Sequence, residues 1–163
     1  MLENEPFEKL PWPYIPLAKV NHYPPILGFG FAIPNHVPEF LRVALEHKLG
    51  DPEKLNAAND GGLLQKLVTS HLNDRCGLPR EQGIVCKHIR SRASDMALLE
   101  IETDYRMQVP EDKVDEMLGS IREVFSLPDD AHPRWYLETD VVGKDPDGYR
   151  ISSESPDLNK RFI

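Results

Sequence analysis

The chain has 163 residues, 40% hydrophobic and 28% charged, with 15 prolines and two cysteines. That is the composition of one self-sufficient globular domain, not of a disulfide scaffold or a disordered tail. The net charge of −8 is concentrated, with 15 carboxylates against five basic residues between Asp95 and Asp147, so phosphate backbones make poor partners. The longest apolar run, Ile26 to Ile33, is eight residues, against roughly 20 for a bilayer span. Met1-Leu2-Glu3-Asn4-Glu5 lacks the basic start of a secretory leader. No nucleic acid and no membrane are expected as partners, and reduced thiols point to a cytoplasmic setting.

Residues 1–25 read as a proline-punctuated arm, 26–142 as a single α+β domain, and 143–163 as a polar tail. Pro11-Trp12-Pro13-Tyr14-Ile15-Pro16-Leu17 is predicted extended, because each proline lacks a donor and restricts the residue before it. Its aromatic and aliphatic side chains are too apolar for a free tail, so the arm should lie on the domain or on a neighbouring subunit. Ile26–Ile33 is the first strand, with Leu27, Phe29, Phe31 and Ile33 on one face and Gly28, Gly30 and Ala32 on the other. A helix follows from Pro38 to Leu49, with Phe40, Leu41, Ala44, Leu45 and Leu49 as its apolar stripe. Asp51 to Asp60 reads as a polar connection. A second helix, Gly62 to Asp74, carries Leu63, Leu64, Leu67, Val68, His71 and Leu72 on one side.

Ile84 to Arg90 is a short second strand. Met96 to Met107 alternates a core set (Ala97, Leu99, Ile101, Thr103, Tyr105, Met107) with a hydrated set (Leu98, Glu100, Glu102, Asp104, Arg106). Pro110 opens a helix to Phe125, its first turn loaded with acids as the helix dipole favours. Arg134 to Val142 is the last strand. The order β-α-α-β-β-α-β, closed by right-handed crossovers, predicts a ferredoxin-like four-stranded antiparallel sheet with helices on one face.

Several motifs are weaker than they look. Leu27-Gly28-Phe29-Gly30-Phe31-Ala32 is similar in part to the ribonucleoprotein-1 pattern of RNA-recognition motifs, but Leu27 replaces its basic residue and Pro34 its closing aromatic. Ile33 occupies the third-glycine position of a dinucleotide fingerprint. His71, Cys76, Cys86 and His88 include no pair at the two-to-four-residue spacing of a zinc knuckle. No cofactor and no metal are therefore expected. The two βαβ halves invite comparison with tautomerases, but Met1-Leu2 stands where those enzymes carry a catalytic amino-terminal proline.

The richest constellation is the hydrated face. Glu100, Glu102 and Asp104 on the third strand and Glu138 and Asp140 on the fourth flank a floor of Gly28 and Gly30. Such a floor suits a small cationic or hydroxyl-bearing ligand, with Tyr136 available to stack on it. His88 joins as an acid–base partner of Glu100 and Glu102 only if the hairpin register turns it to that face. The expected function is a small ligand-binding or protein-interaction domain acting through an open sheet face, as a homo-oligomer. The alternative is a cofactor-independent lyase or isomerase using carboxylate and histidine chemistry.

Overall fold

A computed structural model of the chain describes residues 6–17, 19, 26–58, 61–90 and 95–137. Strands β1 (Leu27–Pro34), β2 (Val85–Arg90), β3 (Asp95–Thr103) and β4 (Arg134–Leu137) form one antiparallel sheet in the order β2-β3-β1-β4. Among the described residues four α-helices accompany it: α1 (His36–Glu46), α2 (Pro52–Asn56), α3 (Gly61–Arg75) and α4 (Val114–Phe125). The class is α+β. Phe31, Ile33, Ala97, Leu99 and Ile101 from the sheet share one core with Phe40 and Val43 of α1, Leu64, Val68 and Leu72 of α3, and Met117, Ile121 and Val124 of α4. Phe40 and Phe125 meet edge-on with ring centroids 5.4 Å apart, which ties α1 to α4 at its centre.

Period two on β1 and β3 therefore holds for the core side: Leu99 is fully buried and Ile101 is 1% exposed. It fails for the other side. Leu98 and Glu100 alternate away from the helices, yet both are fully buried, and Ile89 on β2 is 1% exposed. The face opposite the helices is covered at its centre and is not the hydrated surface that alternation of polar residues predicts. A carboxylate at an alternating position reports which way a side chain points, not whether water reaches it.

Three local features depart from the sequence reading, each with a physical cause. The connection after α1 contains α2, because Asp51 Oδ1 accepts from the backbone N–H groups of Glu53 and Lys54 and Pro52 needs no donor at the first helical position. The third strand ends at Thr103 rather than Met107. Thr103 Oγ1 accepts from the N–H groups of Tyr105 and Arg106, the chain reverses, and Gln108 and Val109 donate back to the Ile101 carbonyl. Asp104 consequently sits in a turn. The arm is not uniformly extended, since Trp12–Tyr14 is a short 3-10 turn with Pro13 near its start. Phe7 of the arm pairs with Trp135 at the outer edge of β4, with reciprocal N–H···O distances of 3.0 and 2.8 Å, whereas Trp12 is 71% exposed.

A bulge between Phe29 and Gly30 leaves Ile101 as the extra residue on β3, so that Phe29 faces Glu102 and Gly30 faces Glu100. The two backbones come so close there that a Cβ on Gly30 would overlap the Leu99 carbonyl oxygen. Only glycine fits.

Candidate functional site

Glu100, Gly28, Gly30 and Tyr136 are brought together across β3, β1 and β4. Gly30 pairs with Glu100, Gly28 pairs with Tyr136, and a Cβ on Gly28 would press on the Glu100 carboxylate. Glu100 is fully buried, and its Oε1 accepts a hydrogen bond from Gln108 Nε2, so its nearest task is within the fold. Asp104 is equally buried. Its Oδ1 accepts from the Leu27 N–H at 3.0 Å while its own N–H donates to the Leu27 carbonyl, which secures the entry to β1. Glu102 is half-buried opposite Phe29, and Tyr136 is half-buried. Glu138 and Asp140 lie outside the described residues.

His88 does not join the carboxylates. The hairpin register sets it opposite Ala97, on the helix side, where its ring stands edge-on to His36 at 4.9 Å. Cys86, on the same side, is an inert thiol: burial, with the nearby Glu100 charge adding to it, pushes its pKa up to about 12. Among the described residues, no group of three or more His, Cys, Asp and Glu side chains is placed to hold a metal ion.

An open concavity among the described residues lies along the outer edge of β2. It has a volume of about 380 Å³ and is lined by Gly62, Gln65, Lys66, Thr69, Ser70 and Asn73 of α3 and by residues 84–86. The α3 residues recur at three- and four-residue intervals, a second stripe beside the buried Leu64, Val68 and Leu72. This stripe is polar where the sequence reading extended the apolar face: Leu63, expected in the core, is 45% exposed.

Asn73 closes one end of the groove in an informative way. Only 4% exposed, it accepts the Ile84 N–H on Oδ1 at 2.9 Å and donates from Nδ2 to the Ile84 carbonyl at 3.4 Å. Its carboxamide thus stands where the peptide group of an adjacent strand would stand. Gly83 makes room for it, since a Cβ there would overlap the Asn73 side chain. In an antiparallel strand, alternate residues direct both backbone groups to the same side. With Ile84 turned outward to Asn73, Cys86 is turned outward too, into the groove, while Val85 and Lys87 face β3. Among the described residues, nothing outside β3 takes the Cys86 backbone groups.

The signal for this groove is present in the sequence. Asn73 is a buried-phase polar residue in a helix that ends next to a glycine-preceded strand, and Gln65, Thr69 and Ser70 continue the stripe. It is recognisable only once the helix and the strand edge are known to be neighbours.

No protein-family model, no curated protein and no solved structure matches this chain. Among the described residues no helix is long and apolar enough to cross a membrane.

Proposed function

We propose that the chain is a small protein-interaction domain on a ferredoxin-like frame, and that it takes an extended peptide as an added strand along the outer edge of β2. The order β2-β3-β1-β4 supports that frame, and it makes β2 an edge strand. One observation carries the proposal: the Asn73 carboxamide already satisfies Ile84 as a neighbouring strand would, and the next outward-facing residue, Cys86, opens onto the groove. Strand addition draws affinity from backbone hydrogen bonds and selectivity from the alternate side chains of the ligand. The α3 wall from Gly62 to Asn73 runs for roughly 16 Å at the helical rise, which matches about five residues of strand.

The homo-oligomer expected from an apolar arm is a separate question, since Phe7 finds its strand partner within its own chain while Trp12 is 71% exposed. Glu100 and Asp104 support folding in this reading, through Gln108 and Leu27, and not ligand binding or acid–base chemistry.

The test is selection of unconstrained eight-residue peptides from a displayed random library, followed by amide exchange and affinity measurements. Bound peptide should slow exchange of the Cys86 N–H at least tenfold. Cys86→Pro, which deletes that donor while leaving the β3 ladder intact, should weaken binding at least tenfold. Ser70→Trp, which fills the groove from α3, should do the same and covers the case where the proline variant does not fold. Selection of no peptide, or of peptides indifferent to both variants, overturns the proposal.

A further inference from the structure

Resting on the strand-addition reading above, we infer that the segment taken by β2 is acidic: an extended stretch of a partner protein that carries a carboxylate at the end of the groove farthest from Asn73. Among the described residues that line the groove there is one cation, Lys66, and no carboxylate, in a chain whose net charge is −8. The strand itself supplies Lys87 and His88, which leave β2 on opposite faces.

The two lysines gather at one end, with His88 beside them. α3 and β2 run past each other so that Asn73 meets Ile84, while the start of α3 lies beside His36, whose ring is 4.9 Å from that of His88. Lys66, Lys87 and His88 therefore belong to the end away from Asn73. The exposed Asp74 and Glu81 belong to the Asn73 end, because they flank the Asn73–Ile84 pair in sequence. Arg75 and Arg80 flank the same pair, so the Asn73 end is close to neutral, and an added strand meets net positive charge only where the backbone of β2 is open. Complementarity of this kind steers encounter and rejects wrong partners more than it adds affinity.

The opposite edge of the same sheet supplies an example. There the added segment is Phe7-Glu8, and its glutamate is held by Arg134 of the edge strand and by His132 just before it: Glu8 lies 2.9 Å from His132 Nε2 and 2.9 Å from Arg134 Nε. Aromatic plus carboxylate against a basic edge strand is thus a pairing this sheet already makes. A second copy of the chain is a poorer occupant, since antiparallel pairing of β2 with β2 would set the Lys87-His88 segments against each other.

The experiment uses the full chain and three fluorescein-labelled decapeptides of alternating valine and threonine, which carry at two adjacent polar positions glutamate, glutamine or lysine. The glutamate peptide should bind at least tenfold more tightly than the glutamine peptide at 50 mM salt, and the lysine peptide more weakly still. Raising salt to 500 mM should erase most of the difference. Lys66→Glu with Lys87→Glu should invert the order. Equal binding of the glutamate and glutamine peptides, both abolished by Cys86→Pro, overturns the acidic preference and leaves the edge site standing. Binding of none of the three overturns both. A concentration-dependent rise in mass that Cys86→Pro removes, with no peptide bound, makes a second copy the occupant and also overturns the inference.

Discussion

The two edges of the sheet solve the same problem in different ways. At β4 the arm adds a piece of strand: Phe7 exchanges two backbone hydrogen bonds with Trp135, and Glu8 is held by His132 and Arg134. At β2 a single side chain, Asn73, imitates one peptide unit and stops. An exposed edge is a liability that folded proteins cover, charge or shorten. β4 is covered by its own chain; β2 is capped at one end and carries Lys87 and His88 beyond the cap. On the strand-addition reading, the edge that the chain completes with Phe7 is the closed one, and the edge that carries, among the described residues, a cap and basic side chains is the one that takes the added strand.

The sharpest way to break that comparison is to strike the strands between the two edges. Gly30→Ala places a methyl group against the Leu99 carbonyl oxygen, at a bulge where neither backbone has room to withdraw. Overpacking of this kind should cost about 3 kcal/mol, read as a lowered urea midpoint. Because β1 and β3 connect the edges, Trp135 burial and the Asn73–Ile84 contact should be lost together. A wild-type midpoint for Gly30→Ala would mean that the close approach at the bulge is wrong.

Asn73→Ala acts on one edge alone. It leaves the Ile84 N–H and carbonyl without the partners they have in a buried setting, and about 2 kcal/mol of stability should go with them. Amide exchange should quicken at Ile84 and Cys86 and stay unchanged at Trp135. If exchange at Trp135 quickens by the same factor, the two edges are one cooperative unit and their comparison loses its meaning.

Those residues also mark what sequence reasoning reaches. Alternation in Ala97, Leu99 and Ile101 and the helical stripes of Phe40 and Val68 gave the core, since apolar periodicity records which side of an element is dry. The same alternation assigned Glu100 to water, and Glu100 is fully buried. What covers a sheet face is a tertiary fact that no strand encodes. Asp104 was misread because the Thr103 hydroxyl turns the chain three residues before the polar pattern ends at Arg106. The groove at β2 was missed because its elements, α3 and an edge strand, are each unremarkable alone. Its one specific residue, Asn73, gains meaning only from Ile84 beside it.

The smallest effect concerns the clamp that makes the β4 edge self-sufficient, and its sign separates the two edges. His132 is held above its usual value near 6.5, first by its hydrogen bond to the Asp130 carbonyl and then by Glu8. Glu8 is held below the usual carboxylate value, chiefly by its hydrogen bond to His132. A raised histidine stabilises the folded contact below its unfolded value and ceases to do so as pH climbs through the folded one; a lowered carboxylate contributes above its unfolded value and is lost as pH falls through the folded one. The arm should therefore hold best in mildly acidic solution, between the two ranges, and loosen on either side. Both groups are exposed, so salt should flatten the effect, and Arg134 should keep part of the hold at high pH. The readout is amide exchange at Trp135, whose N–H donates to the Phe7 carbonyl, corrected for the intrinsic pH dependence of exchange. A shallow maximum in protection that disappears in His132→Ala is expected at Trp135 and not at Cys86. A maximum at both positions would trace the pH dependence to the whole fold and remove the clamp as the reason one edge is closed and the other open.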